Sequence, residues 1–462
     1  MWKLGGAAIP MKDSREGTVL GKVEGIRVWF GTENPEVRPH MAFSAEAVSF
    51  LDACSAAIRQ DAEARSYPDI LAFAFWIRKA NVLRLKGRFE GGEGYYGCKE
   101  FVGKTEEVRG LAEKKEGSKG LAKAEEGSRK SSMCIWVGKG LIFHISPSNV
   151  AINFAYTFAF GLLSGNANIV RLSSKQFPQS GILCRILQEV TGRKEFQWVE
   201  SQNGIVSYAH ESGEWNRIFS EGCDARVIWG GDGTIREIRK FPINPRSNEI
   251  TFADRYSFAM ISAEAVVELS DRERGRLAEG FYNDTYRMDQ NACSTPHLVC
   301  WLGSGEAKKE AKKLFWQAVY QASLKYSLEE EKVSGKFALL CQYASNGIVS
   351  KAQRYGNYLY VAELEELPEN LVALRGKYGM FFEYDMDGIE EILGRVTPKV
   401  QTCAVFGIDA GAVARLLAQS GARGIDRIVP MGHTLDMDIV WDGHDVIREL
   451  SRCIAAESYL RL

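Results

Sequence analysis

Several signals are missing from these 462 residues. Ten cysteines are scattered at positions 54, 98, 134, 184, 223, 293, 300, 341, 403 and 453, and no two have the spacing of a CxxC pair. That argues against a disulfide framework and against a cysteine zinc site. The six histidines make no HExxH or other close metal pair. Charge of either sign is not in excess: 58 lysines and arginines face 59 aspartates and glutamates. No global field therefore attracts nucleic acid or an anionic membrane. Long apolar runs are absent too. The windows 70–77 and 154–163 are flanked by Arg78, Lys79, Asn153 and Asn166 and fall short of the ~20 residues that span a bilayer. The first residues carry charge too early for a secretory leader. The expectation is a reduced, cytoplasmic, metal-free protein without a membrane span. A hydrophobic share of 45% with 25% charged residues excludes disorder as the main state.

What is present is a rhythm. Residues 1–40 are rich in glycine and proline, with a strand expected at 26–30. Ser44 reads as an N-cap, followed by Ala47, Val48, Leu51, Cys54 and Ile58 at helical spacing. A second helix is predicted over 68–85, with Pro68 in its first turn. Two near copies, GLAEKKEGSK from Gly110 and GLAKAEEGSR from Gly120, lack an apolar face, so 104–130 is expected to be a mobile charged insert without a catalytic part. From Trp136 onward strands and helices alternate. A strand at 141–145, a helix at 149–163 stopped near Gly165 and a strand at 168–172 make a βαβ unit. A helix at 178–190 ending at Gly192, a strand at 196–200, a helix at 207–221 and a strand at 226–229 continue it, which predicts a parallel sheet wrapped by helices. Ligands of such sheets bind beyond the carboxyl ends of the strands. Those ends carry Ser146-Pro-Ser-Asn149, Arg171-Leu-Ser-Ser-Lys175 and Trp229-Gly-Gly-Asp-Gly233.

The turn Gly230-Gly231-Asp232-Gly233 is not a GxGxxG. It suits a phosphate at a helix start, although a ligand-free tight turn has the same composition and Asp232 must point away from an anion. Arg171, Ser173, Ser174 and Lys175 offer two cations and two hydroxyls for a phosphate monoester and a ribose, or are simply solvated strand-end groups. No acidic residue follows that strand to bind an adenosine 2′-hydroxyl, which favours NADPH over NADH. Cys293, in the small polar stretch Asp289-Gln-Asn-Ala-Cys-Ser-Thr-Pro296, has the setting of an accessible thiol, whereas Cys300 lies in an apolar strand and reads as core filler. His297 is the nearest base in sequence. Asn149, at the mouth of a helix, either caps it or donates its amide to a developing oxyanion.

In this order the segments YPDILAFAFWIRKAN (67–81), HISPSNVAINFAYTFAFGLLSGNANIVRLSS (144–174), VIWGGDGTIREIR (227–239), DQNACSTP (289–296) and GIDRIVPMGHTLDMDIVWDG (424–443) resemble the aldehyde dehydrogenase superfamily. Within it they resemble the LuxC-type acyl-CoA reductase branch, the fatty acid reductases of bacterial luminescence and their relatives. The resemblance implies an α/β, aldehyde-dehydrogenase-like fold. Its expected parts are an N-terminal segment and NADP-binding domain over 1–256, a catalytic domain over 257–430, and a C-terminal segment over 431–462 that packs subunits of a homo-oligomer.

Carried over by position, the resemblance places Cys293 at the nucleophile and Asn149 in the oxyanion hole. Ser146, Arg171, Ser173, Ser174, Lys175, Gly230, Gly231 and Asp232 fall at the cofactor. Ser174 stands where NAD-preferring members often have a ribose-binding glutamate. Thr251 aligns with the water-activating glutamate of hydrolytic members, and Glu249 is two positions off. Lys399 and Gln401 are candidates to approach the cofactor, and Trp441-Asp442-Gly443 is expected to be structural. The implied reaction is NADPH-dependent reduction of a long-chain acyl-CoA or acyl-protein thioester to the aldehyde, with an acyl-protein synthetase as an implied partner. Two other readings are a nicotinamide-independent acyltransferase or thioesterase using Cys293, and a non-catalytic acyl-binding relative.

Overall fold

A computed structural model describes residues 25–91, 129–175, 177–209 and 212–460. Of the charged insert at 104–130, all but Arg129 and Lys130 lies outside the described residues. In chain order the first strands are β1 (Ile26–Gly31), β2 (Arg129–Gly138), β3 (Leu141–Ile145), β4 (Ala167–Arg171), β5 (Asn203–Tyr208), β6 (Ala225–Trp229) and β7 (Asn248–Phe252). Then come β8 (Tyr256–Ser262), β9 (Pro296–Leu302), β10 (Lys351–Tyr355), β11 (Leu359–Glu363), β12 (Met380–Asp385), β13 (Val400–Phe406) and β14 (Arg427–Pro430). The last are β15 (Val440–Trp441), β16 (His444–Asp445) and β17 (Ser451–Leu460).

The first sheet runs β1-β5-β4-β3-β6-β7 and the second β10-β11-β12-β9-β8-β13-β14. Only the edge strands β1 and β10 run antiparallel to their neighbours. Parallel strands need crossover helices on both faces, so their sequences are apolar throughout rather than alternating. Every residue of β4 and β6 is buried. One face of the first sheet packs Phe143, Ile169, Val206 and Ile228 against Trp215 and Phe219. The other packs Ile142, Val170, Ile205 and Val227 against the helices Asn153–Leu163 and Pro178–Thr191. The chain leaves the first sheet at Phe252 and enters the second at Tyr256. Its C-terminal part returns: Ile439, Trp441, Val446, Ile447 and Leu450 join the first core, and β17 pairs with β2 along their lengths as an antiparallel ribbon.

Several predicted elements shift. Ser44 does cap the helix Ala45–Gln60, accepting from the Ala47 N–H, and all five apolar positions of its stripe are buried. The helix predicted over 68–85 is two, Pro68–Trp76 and Lys79–Glu90, because Arg78 turns extended before the second begins. The strand predicted at 196–200 is helical (Gln197–Gln202) and the strand follows it as β5. The next helix is accordingly Gly213–Gly222 rather than 207–221. Here Phe196, Trp198 and Val199 mimic a buried strand because a short helix packed on the first core is equally apolar.

Among the described residues no helix is long and apolar enough to cross a membrane. No group of three or more metal-ligating side chains comes together among them.

Candidate active site

Cys293 lies in the loop between the helix Asp271–Thr285, extended by a short 3-10 turn, and β9. That loop is held unusually firmly. Asp289 and Gln290 both adopt left-handed backbone, with φ of 53° and 59°, a conformation that costs a non-glycine residue roughly 1–2 kcal/mol. Such strain persists only where neighbours over-determine it. The buried Gln290 amide accepts from the N–H groups of Gly379 (2.7 Å) and Met380 (3.2 Å) and donates to the Met380 carbonyl (3.0 Å). The Thr295 hydroxyl donates to the Asp284 carbonyl at 2.9 Å. The Ser257 hydroxyl, at the start of β8, donates to the Cys293 carbonyl at 2.7 Å and accepts from the Thr402 N–H of β13.

The thiol is half-buried. Its Sγ stands 3.9 Å from Asp254 Oδ1, in the bridge between the two sheets. Asp254 Oδ2 in turn receives Arg375 Nη2 at 3.1 Å, and the same guanidinium donates to the Arg255 carbonyl at 2.9 Å. Burial pushes the Cys293 thiol above its ordinary pKa, with the Asp254 and Asp442 carboxylates adding, while the Arg255 N–H and Arg375 pull it down. Cys300 is wholly buried and its thiol is pushed far up by desolvation, consistent with a core filler. His297 is buried, stacked on Tyr256 at 5.6 Å, and its imidazole is driven down to about 3 by burial first and Arg375 second. It makes no hydrogen bond to Cys293 and is a poor proton acceptor.

Asn149 is exposed in the bend after β3. The helix expected to begin there begins four residues later, at Asn153, and Ile152 is its N-cap without a side-chain bond. The asparagine is therefore not spent on capping, and among the described residues no hydrogen bond ties it to the Cys293 loop.

The strand-end cations separate. Ile169 and Arg171 alternate onto one face of the first sheet, where the buried Arg171 guanidinium lies 4.6 Å over the Tyr208 ring. Ser173 and Lys175 line a cleft on the opposite side, together with Trp29, Ser146, Val150 and Phe154. Lys175 sits over the Phe177 ring at 4.8 Å, the Ser173 hydroxyl donates to the Lys175 carbonyl at 3.1 Å, and Ser174 is exposed. Among the described residues, Ser146 Oγ and Arg171 Nε are buried polar atoms without a hydrogen-bond partner.

Gly230 ends the strand that stacks Trp229 on Phe252 with centroids 3.7 Å apart. Among the described residues, a Cβ at Gly231 or Gly233 would meet nothing within 4 Å, which leaves that face of the turn open to them. Asp232 points away to Lys399, whose Nζ donates at 2.6 Å and holds the carboxyl below its usual range. Lys399, just before β13, thus ties the turn after β6 to the start of a strand of the second sheet. Gln401 is buried instead, donating to Asp442, and desolvation pushes Asp442 up to about 7.

Thr251 sits on β7 opposite Ile228. Glu249 faces away into a clamp: Arg226 Nε donates to it at 2.8 Å and Arg239 Nε at 2.7 Å. The acid beside the thiol is Asp254. The sequence reading passed over it, and over Arg375, which lies 121 positions from it. The one available signal for Asp254 was its place in a short polar bridge between two strands.

The family model described as Acyl-CoA reductase (LuxC) matches residues 124–334, in agreement with the resemblance read from the sequence. Among solved structures, a NAD-dependent benzaldehyde dehydrogenase from Corynebacterium glutamicum is similar at 14% identity and TM-score 0.53, covering 90% of this chain and 86% of that one. Aldehyde dehydrogenase 21 from Physcomitrella patens, in complex with the product succinate, is similar at 12% identity and TM-score 0.59, covering 91% and 87%. An indole-3-acetaldehyde dehydrogenase in complex with NAD+ is similar at 10% identity and TM-score 0.58, covering 90% and 84%. At these identities the likeness shows the fold, that of the aldehyde dehydrogenases. No curated protein matches.

Proposed function

With residues 124–334 matching the LuxC acyl-CoA reductase family on an aldehyde dehydrogenase fold, we propose that the protein reduces a long-chain fatty acyl thioester, carried on CoA or on protein, to the aldehyde through a thioester on Cys293. The observation that carries this reading is the thiol itself: half-buried, beside the bridge that joins the two sheets, on a loop pinned by Gln290, Thr295 and Ser257. A pinned loop keeps the attacking atom in place without a reorganisation cost at the moment of reaction. Cys293 attacks the acyl carbonyl, the Cys293 N–H and the Asn149 amide hold the oxyanion, and the CoA thiol leaves. The hydride that takes the resulting thioester to the aldehyde is the chemistry a reduced nicotinamide supplies when bound. The residues that would hold it lie beyond the carboxyl ends of the strands: Ser146, Ser173, Ser174 and Lys175 around the cleft after β3 and β4, the open turn at Gly230, Gly231 and Asp232 after β6, and Arg171 at the end of β4.

Threonine at position 251, with Glu249 tied up by two arginines, supports reduction over hydrolysis to the acid. NADPH is the proposed donor because Lys175 is exposed beside the cleft and no carboxylate follows β4. The exposed apolar residues Met133 and Ile454 on the β2–β17 ribbon support a role for that ribbon in packing subunits. The test is aldehyde detection after mixing the protein with NADPH or NADH and an acyl-CoA length series. Aldehyde formation with NADPH, and a lower NADPH-to-NADH rate ratio in Lys175→Glu, are expected. CoA release without NADPH oxidation would favour an acyltransferase or thioesterase instead, and an unchanged ratio would overturn the cofactor assignment.

A further inference from the structure

Asp254 belongs to neither sheet. It stands in the three-residue bridge between β7 and β8, its side chain 54% exposed, and its two oxygens are divided. Oδ2 is held by Arg375 at 3.1 Å, and Oδ1 faces Cys293 Sγ at 3.9 Å. Arg375 is itself fixed by the Arg255 carbonyl, so the carboxylate has one oxygen anchored and the other aimed at the thiol. A carboxylate in that place works against a resting thiolate, since like charges disfavour one another. It favours instead a thiol that gives up its proton only as it attacks. Asp442, the other carboxylate acting on the thiol, is engaged with Gln401, the buried His297 is stacked on Tyr256, and Glu249 on β7 is clamped by two arginines.

Resting on the acyl-thioester reading above, we propose that Asp254 is the proton shuttle of the acyl-transfer step, and that Arg375 is the residue that positions it. As Cys293 Sγ forms its bond to the acyl carbon, the thiol proton passes to Asp254 Oδ1 and the carbonyl π pair moves onto oxygen. When that pair returns, the bond from the acyl carbon to the CoA sulfur breaks. The departing sulfur takes the proton from Asp254, which is again a carboxylate. One thiol and one thioester become another thiol and another thioester, with no net change in protons or electrons, and no nicotinamide is needed. The 3.9 Å separation is long for a hydrogen bond, as catalytic contacts often are before substrate closes the site.

Two rates on the same thiol test this, both read at Cys293 by peptide mass spectrometry after reaction of the full chain without nicotinamide, because Cys341 and Cys453 are exposed as well. In Asp254→Asn, acylation of Cys293 by an acyl-CoA is expected to slow by about 10²-fold, the low end of what a positioned acid–base group contributes. Alkylation by iodoacetamide at the same pH, which needs only the thiolate, is expected to rise severalfold because the opposing charge is gone. The adduct at Cys293 is counted apart from those at the exposed Cys341 and Cys453, and unmodified buried Cys300 and Cys403 show that the variant is folded. Acylation as fast as in the unaltered protein, or the two rates moving in the same direction, would overturn the shuttle and leave Asp254 a simple ion-pair partner. If the unaltered protein forms no acyl-enzyme at all, the acyl-thioester reading fails instead, and the two failures are told apart by that control.

Discussion

The firmest consequence of the geometry concerns Gln290, three positions before Cys293. Its amide makes three hydrogen bonds to the backbone of Gly379 and Met380 while its own backbone sits at φ 59°. Gln290→Ala removes all three bonds and keeps the strain. At about 1 kcal/mol net for each bond, the loss is about 3 kcal/mol. For a cooperative unit of roughly 200 residues, about 2–4 °C per kcal/mol translates this into a midpoint lower by about 6–12 °C. Gln290→Gly loses the same bonds but relieves the left-handed backbone, so it should be more stable than the alanine variant by about 1 kcal/mol. Thermal unfolding of the three proteins, followed by the rate of Cys293 alkylation in each, checks both steps. Alkylation should quicken in both variants as the loop loosens. An alanine variant as stable as the parent, or a glycine variant less stable than the alanine one, would refute the claim that the side-chain clamp holds a strained loop.

Two further outcomes follow from buried charges. Glu249→Ala leaves the Arg226 guanidinium, whose side chain is 3% exposed, with the neutral acceptors Ser220, Ile238 and Phe241 but without its carboxylate, and should cost about 3–5 kcal/mol in unfolding experiments. The variant should still be acylated at Cys293 wherever it remains folded, and loss of acylation without loss of stability would reverse the assignment of Glu249 as structural. Asp442 has its pKa raised on folding, to about 7, so the folded chain holds its proton more tightly than the unfolded one. Its contribution therefore makes stability fall as pH rises from about 4 towards 7 and stay level above that. Relative to the parent, Asp442→Asn should show a thermal midpoint that declines less across this range. Identical pH slopes would show that the burial of Asp442 has no such consequence.

Local patterns were legible to the extent that each residue's burial repeats with the period of its own element. The 141–145 strand and the stripe below Ser44 were readable on those terms, and so was the switch of strand and helix that marks a parallel sheet. The same rule misled at 196–200, where a short apolar helix and a buried strand look alike. It also misplaced the start of the helix now seen at Asn153, since the bend at 148–152 carries no glycine to mark it. Cys293 could be singled out because a cysteine among small polar residues differs in kind from Cys300 within an apolar run.

Nothing in the linear order pairs Asp254 with Arg375, joins Lys399 to Asp232, or sends Arg171 and Lys175 to different sides of one sheet. Those arrangements depend on how the two sheets close against each other and on which face each strand-end residue takes. A side chain's period along its own element says which face it shares with its neighbours. Its partners across the bridge from Phe252 to Tyr256 exist only once both sheets have folded.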